Sequence, residues 1–522
     1  MARLKEYNGH YCESEYEYAF IGFLEAEGWK YSSGNNIRRV TKRDVLIVDD
    51  FKKFIADTNP DLTEDEVTQV YDNVRLVGAE SDFATLHKVY GWMVNGVQFT
   101  PQDGLPRMIP LIEFDNWDKN IFRVVNQFTV EYTNNGQKEN RRPDVLLFVN
   151  GMPLCVIELK NPADANATIY DAWEQINIRY WRDIPHLLHY CPLACISDGV
   201  KTRLGTVRTP YEHFYAWRRV NEGDVVSTLP FAETETMIKG VYTPERFVEI
   251  FRDYIYFQDS IYDSDEVEIV CRYPQFFAAK LLKQSIVNSV VTRSGKGGTY
   301  FGATGCGKTY TMAFLARQLA LRCTDIPEIG SPTIILIVDR DELQKQGSKL
   351  FTKSKEFLNL GEVSVVKNRT QLRQELGARQ SGGFYICTIQ KFCDREDDKI
   401  GLINDRQNII CFSDEAHRTQ LEHSKKIQFS KDADENMKAM VSKPYAKVLK
   451  EAFPHATFVG FTGTPIAETY QTFGDEIDRY TMDQAVADGL TVSIKYHPRI
   501  AKVLLDNKKV KEIENYYKKM CR

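Results

Sequence analysis

The sequence predicts an α/β protein of two units in series, and three observations carry that reading. A glycine-rich loop, Gly302-Ala303-Thr304-Gly305-Cys306-Gly307-Lys308-Thr309, stands between apolar Thr299-Tyr300-Phe301 and a helical run from Tyr310 to Leu319. After it, apolar strands recur and each ends in a polar cluster, as in a parallel sheet that binds ligands at the carboxyl ends of its strands. Before it, Asn150-Gly151 separates two apolar runs, the strongest short signal for a β-hairpin.

Length and composition set the bounds. A chain of 522 residues, 43% hydrophobic and 27% charged, has room for several domains with their own cores. No apolar run approaches membrane-spanning length and Met1-Ala2-Arg3-Leu4-Lys5-Glu6 is not a secretory signal, so a cytoplasmic chain without a membrane partner is expected. The 11 cysteines are scattered and odd in number, which suits reduced thiols. His186, His189, Cys191 and Cys195 lie too close together for the paired-ligand spacing of a zinc module. A net charge of −5 excludes a broadly basic surface and leaves nucleic acid only a local groove.

The chain opens on a predicted helix, Ser14 to Glu27, with Tyr16, Phe20, Phe23 and Leu24 at helical spacing and Gly28-Trp29 as its stop. Glu17 stands beside that stripe and reads, on residues alone, as a solvated carboxylate. Arg43 to Gly104 reads as helices and loops without a chemical motif, and Phe122 to Val130 alternates imperfectly, as a strand.

The hairpin is richer. In its second strand Cys155, Ile157 and Leu159 share one face, while Val156, Glu158 and Lys160 share the other. Asp144 opens the partner strand. Two carboxylates and a lysine converging there can hold Mg²⁺ and position a water against a phosphodiester. A regular two-residue turn would pair Asp144 with Ile157 and face it away from Glu158. The site therefore requires an irregularity between Val149 and Leu154, where Pro153 cannot donate to a ladder. A solvated edge-strand pair is the alternative reading.

A helix is predicted over Ala163 to Arg182, with Gln175 and Arg179 on one face and Tyr180 about 140° round from Gln175. These three read as phosphate contacts, as support for the acids, or as plain surface. Leu193 to Ser197 is a further buried strand, and Pro244-Glu245 starts a helix in the region taken as the boundary between units. Arg272-Tyr273-Pro274-Gln275 opens the helix leading to the glycine-rich loop, and the Gln275 amide can bond both edges of adenine or simply face solvent.

The glycine-rich loop fits G-x-x-x-x-G-K-[ST] at every fixed position, with strand and helix on the correct sides. Glycines let backbone N–H groups converge on phosphate oxygens, Lys308 reaches the β/γ-phosphates, and the Thr309 hydroxyl ligates Mg²⁺. Thr333 to Val338, Tyr385 to Gln390, Asn408 to Ser413 and Ala456 to Phe461 are the recurring strands. Asp414 would hold Mg²⁺ through water, Glu415 would polarise the attacking water, and His417 would link to a partner lobe. Thr462 and Thr464 are candidate couplers between nucleotide state and DNA grip.

The loop, Asp414-Glu415-Ala416-His417 and Thr462-Gly463-Thr464-Pro465 together resemble a superfamily-2 helicase or translocase of the DEAH type. An Asp…Glu-x-Lys nuclease ahead of such a motor resembles the restriction (R, HsdR-type) subunit of type I restriction–modification enzymes. Thr304 to Met312 and Tyr480…Ala485-Val486…Asp488-Gly489 look like that family too. The resemblance implies a PD-(D/E)xK-type nuclease domain, then a RecA-like P-loop domain; this chain departs from it in length, and the second motor lobe is expected to be largely absent. It implies Mg²⁺-dependent cleavage of double-stranded DNA after ATP-driven translocation, in a complex with specificity (S) and modification methyltransferase (M) subunits. It makes Glu17 an extra acid of the nuclease and Gln275 the adenine reader. The family's Gln-x-x-x-Tyr is altered here, with Arg179 in the fourth place and Tyr180 in the fifth.

The expected division is residues 1–255 for the nuclease with a helical linker, 256–470 for the first motor lobe and 471–522 for the start of a second. Too few residues follow Pro465 for a whole lobe, so ATP–Mg²⁺ binding with poor hydrolysis and no translocation is expected. Rival readings are a helicase fragment without nuclease activity and a non-catalytic assembly module.

Overall fold

The computed structural model describes residues 13–492 and Lys511, apart from residues 79, 103, 162–167, 227–231, 259–265, 304, 340–348, 393–398, 418–426, 432–436 and 442–444. The predicted helix start at Ala163 and the loop residue Thr304 lie outside the described residues.

The front half is built on a six-stranded sheet whose neighbours follow chain order: β1 (Lys30–Ser33), β2 (Phe122–Asn126), β3 (Val145–Val149), β4 (Met152–Leu159), β5 (Leu193–Ser197) and β6 (Thr202–Thr206). The β1–β2 and β4–β5 pairs are parallel and the others antiparallel. Every residue of β3 and β4 is buried, which is why both read as unbroken apolar runs rather than alternating ones. Their turn has Asn150 at φ 51° and Gly151 at φ 78°, both in the left-handed region that a type I′ hairpin requires. A Cβ on Gly151 would sit 2.3 Å from the Ile47 carbonyl oxygen, so the site also excludes a side chain.

Helix α1 (Glu13–Ala26) covers one face of this sheet, within a residue of its predicted span. Tyr16, Phe20 and Leu24 are buried as expected, but Phe23 is 44% exposed and Ile21 fills the core instead. Glu17 and Ile21 lie on the buried side of the helix, and Phe23 is left at its margin. Helices at Val48–Thr58, Glu64–Arg75 and Asp82–Asn95 account for the motif-free region. The predicted strand over Phe122 to Val130 stops at Asn126, because Gln127 turns to φ 54°. Helix α2 (Ile169–Glu174) continues through a wide π-helical stretch, Gln175–Tyr180, into Trp181–Asp183.

The back half holds a seven-stranded sheet of β7 (Lys296–Gly302), β8 (Thr333–Val338), β9 (Val363–Val365), β10 (Phe384–Thr388), β11 (Ile409–Asp414), β12 (Thr457–Thr462) and β13 (Glu476–Tyr480). Its order is β9-β10-β8-β11-β12-β7-β13 and every pairing is parallel. Helix α3 (Tyr273–Thr292) leads into β7, and α4 (Lys308–Arg322) leaves it. Glu476–Tyr480, expected to open a second lobe at residue 471, instead pairs with β7 as an edge strand of this sheet.

The hydrophobic core runs without interruption from the front sheet into the back one. Across the junction Arg219 donates to both carboxylate oxygens of Asp478 at 3.0 Å, and Arg218 pairs with Asp488 at 2.5 Å. No helix among the described residues is long and apolar enough to cross a membrane.

Candidate active site and phosphate loop

The β3–β4 ladder carries the irregularity that the acids require. Val149 pairs with Met152 and Phe148 with Pro153, but Leu147 then pairs with Cys155, so Leu154 is an extra residue. Beyond this bulge Val145 faces Ile157, and Asp144 comes opposite Glu158. Asp144 Oδ2 accepts the Leu159 N–H at 2.8 Å.

Glu158 is fully buried. Its Oε1 accepts from the Tyr180 hydroxyl at 2.5 Å and its Oε2 from the Gln175 amide at 2.7 Å. Lys160 Nζ donates to Gln175 Oε1 at 3.1 Å and lies 4.0 Å from Glu158. Burial, and then the neighbouring Asp144 carboxylate, push the Glu158 carboxyl well above its usual range, with Lys160 opposing.

Gln175 and Tyr180 meet through the π-helical stretch. A regular α-helix would set them about 140° apart, but the wider turn of i→i+5 bonding brings them to one face. The Gln175 amide donates to the Tyr180 hydroxyl at 2.8 Å. Arg179, expected beside Gln175, is instead turned outward and pairs with Glu174 at 2.9 Å. The extra residue between glutamine and tyrosine is thus absorbed by the helix itself.

Glu17 is not a solvated carboxylate, since only 5% of it is exposed. It accepts from Asn126 Nδ2 at 2.6 Å and from Gln127 Nε2 at 3.2 Å. Burial raises its carboxyl above the usual range, and the charge of Asp144 adds to this. Asn126 and Gln127 were not singled out from the sequence, and no local pattern marks them, because their partner lies on a helix far upstream.

The site offers hard oxygen donors to a cation. Among the described residues no group of three or more His, Cys, Asp or Glu side chains is close enough to hold a metal. The facing Asp144 and Glu158 carboxylates fit a divalent ion that completes its shell from backbone and water.

The second site lies at the carboxyl ends of the back sheet. Gly305 and Gly307 both adopt φ 84°, and a Cβ on Gly307 would meet the Gln275 amide at 2.5 Å. Cys306 is buried beneath the loop, and Gly302 ends β7. Lys308 Nζ lies 3.2 Å from the Gly302 carbonyl and 3.9 Å from Glu415, and Thr309 follows in the first turn of α4. Asp414 ends β11; burial raises its carboxyl, and the Lys308 ammonium opposes that shift. The Glu415 N–H donates to Asp414 Oδ1 at 3.0 Å, with Glu415 held at φ 48°.

His417 Nδ1 lies 2.8 Å from the Thr462 hydroxyl and 3.4 Å from Glu415, so it bridges the ends of β11 and β12 within this sheet. Thr464 N–H donates to the same Thr462 hydroxyl at 3.1 Å. Gln275 is buried, its Oε1 accepting the Arg272 N–H at 2.9 Å and its Nε2 donating to the Gly307 carbonyl at 3.4 Å.

The carboxylate hairpin lies in one region that known proteins match, and the glycine-rich loop in another. The pattern of the type I restriction enzyme R protein N terminus matches residues 11–213, and that of the SWI2/SNF2 ATPase matches residues 274–522. The HindI endonuclease subunit of a type I restriction enzyme from Haemophilus influenzae is 31% identical over 93% of this chain and 46% of its own length. A Methanocaldococcus jannaschii protein provisionally named the MjaIXP endonuclease subunit is 30% identical over 94% of this chain and 46% of its own length. A solved fragment of a provisionally assigned HsdR subunit from Vibrio vulnificus YJ016 covers 70% of this chain and 56% of its own, at 15% identity and a TM-score of 0.25, too weak a likeness to define a shared arrangement. The chain belongs with the endonuclease subunits of type I restriction enzymes. It spans about half the length of the curated relatives it matches, 46% in both cases.

Proposed function

We propose that the front half is a PD-(D/E)xK-type nuclease and the back half a RecA-like ATP-binding lobe of superfamily-2 type. Together they would form the part of a restriction subunit that cuts double-stranded DNA after ATP-driven translocation. Specificity and modification methyltransferase subunits would be its partners, in the cytoplasm. The observation that carries this reading is the bulge at Leu154, which sets Asp144 opposite the buried Glu158.

Asp144 and Glu158 would hold Mg²⁺. With that ion bound, charge on the scissile phosphate is offset and a ligated water becomes a better nucleophile. Tyr180 and Gln175 fix the Glu158 carboxylate from behind, so that its lone pairs are aimed by the protein before DNA arrives. Lys160, held by Gln175 beside Glu158, orients the attacking water and keeps its own charge near the phosphate. Glu17, hydrogen-bonded to Asn126 and Gln127, adds negative potential on the same side as Asp144.

In the back half Lys308 and the loop N–H groups would take the phosphates of ATP, Thr309 and Asp414 its Mg²⁺, and Glu415 would orient the hydrolytic water. His417, Thr462 and Thr464 form the hydrogen-bonded link from that centre to the next strand.

Plasmid cleavage tests the nuclease. The chain is expected to cut plasmid DNA with Mg²⁺, and Asp144→Ala or Glu158→Ala to abolish cutting while ATP binding persists. Undiminished cutting by both variants would remove the nuclease assignment.

A further inference from the structure

A two-stranded ribbon leaves the front sheet at its acidic end. Its strands, Val130–Asn134 and Gln137–Arg141, pair with each other and, among the described residues, with no other strand. Val130 pairs with Arg141 at the base of the ribbon. One strand enters directly after Asn126 and Gln127, which hold Glu17. The other leaves through Arg142 and Pro143 to Asp144. Three residues span at most about 11 Å, so the base lies within that reach of both ends of the acidic site.

The ribbon is anchored at its base and bare beyond it. Val130 and Tyr132 are buried, whereas Asn134, Asn135, Gln137, Lys138 and Asn140 are exposed. Asn135 at φ 48° and Gly136 at φ 80° close the strands in the left-handed conformation of a type I′ turn. A Cβ on Gly136 would meet nothing within 4 Å, so the tip stands clear of the body. The acid of the ribbon, Glu139, is held by the Tyr132 hydroxyl at 2.5 Å and the Asn134 amide at 2.8 Å. The side chains of Asn135, Gln137, Lys138 and Asn140 make no hydrogen bond or ion pair among the described residues. What the ribbon presents to solvent is therefore unused amides and a cation.

A second segment is fastened beside the base. The Lys42 carbonyl accepts the Glu131 N–H at 3.0 Å, at the end of the run Arg38-Arg39-Val40-Thr41-Lys42-Arg43. Arg39 serves the fold: its guanidinium carbon lies 3.9 Å from the Phe128 ring centroid and its Nη1 donates to the Asp44 carbonyl at 3.2 Å. Arg38, Lys42, Arg43 and Arg142 are exposed, and none of their side chains makes an ion pair or hydrogen bond among the described residues. In a chain of net charge −5 this is a local concentration of free positive charge, and it suits a polyanion. A ribbon with strands about 4.8 Å apart fits a B-DNA major groove about 12 Å wide. Asparagine and glutamine amides are suited to the edges of adenine there, and lysine and arginine to the phosphates.

We propose that this ribbon enters the major groove of duplex DNA with Asn135 and Gln137 at the base edges, while Arg38, Lys42, Arg43 and Arg142 hold the flanking phosphates. This rests on the reading that the front half is a DNA nuclease. Because the ribbon runs straight into Asp144, a duplex seated on it has its backbone beside the Asp144 and Glu158 carboxylates.

Fluorescence anisotropy of the whole chain with a short labelled duplex, in EDTA and over a series of salt concentrations, tests it. Lys42→Ala combined with Arg43→Ala is expected to weaken binding roughly tenfold and to lower the slope of log K against log salt by about 2. Asn135→Gly, which suits the left-handed turn, combined with Gln137→Ala is expected to weaken binding roughly tenfold with the slope unchanged. Wild-type affinity and slope in both double variants, or no duplex binding by the wild type, overturns the proposal. A wild-type chain whose duplex binding depends on these residues but which does not cut with Mg²⁺ would condemn the nuclease reading and leave the groove contact standing.

Discussion

Glu268 is a carboxyl placed where a strand's burial pattern asks for an apolar side chain. It is 4% exposed, and neither of its carboxylate oxygens has a hydrogen-bond partner. Burial holds it well above the 4.5 of a free carboxyl. The folded chain therefore keeps a proton that the unfolded chain has released, and stability falls as pH rises from about 4.5 toward the raised folded value. Glu268→Gln removes that dependence. Its stability advantage in urea unfolding should grow as pH rises above about 4.5, by up to about 1.4 kcal/mol per unit. An advantage that does not change with pH would disprove the account. At the same scale, Asp144, Glu158 and Lys160 can be found by spacing because one hairpin carries them all. Glu17 cannot, because Asn126, which gives it meaning, is 109 residues away.

At the scale of elements, period and register decide what a residue faces. The 3.6-residue helical period puts Arg179 beside Gln175, yet the molecule puts Tyr180 there, because six residues, Gln175–Tyr180, follow the wider π turn. Deleting the half-exposed Ile178 should convert that stretch to α-helix and keep the flanking turns in place. Cutting of plasmid DNA by the deletion variant should stay within about threefold of the wild type, whereas a deletion at buried Ala172 should abolish it. A dead Ile178 deletion that remains folded by circular dichroism would count against this view of the helix. The bulge at Leu154 was foreseeable for the opposite reason: two acids could face each other only if one residue left the ladder.

For the whole molecule, the junction between the sheets is held by ion pairs that no local pattern announces. Arg219 and Asp478 are 6% and 8% exposed at their side chains and meet through two hydrogen bonds. Arg219 also lies 4.8 Å from the centroid of the Phe277 ring on α3. Removing one partner strands a buried charge, so Arg219→Ala should cost about 3 kcal/mol in urea unfolding. The Arg219→Ala, Asp478→Ala pair should cost clearly less than the sum of the two single changes. Additive losses would mean that the two side chains do not act together. β13 offers Asp478 to the front half while it pairs with β7.

By itself the sequence determined the phosphate loop, the strand-end clusters and the hairpin. Each is a contiguous motif whose chemistry lies in residue type and spacing along one or two neighbouring elements. Only the tertiary structure decided that Glu17 is buried by Asn126, that Tyr180 replaces Arg179 beside Gln175, and that Tyr215 lies beneath Arg272. The long-range contacts among these join segments far apart in the chain and form only when packing brings their faces together. The exchange of Arg179 for Tyr180 is local in sequence, but packing selects the wider turn over the regular helix.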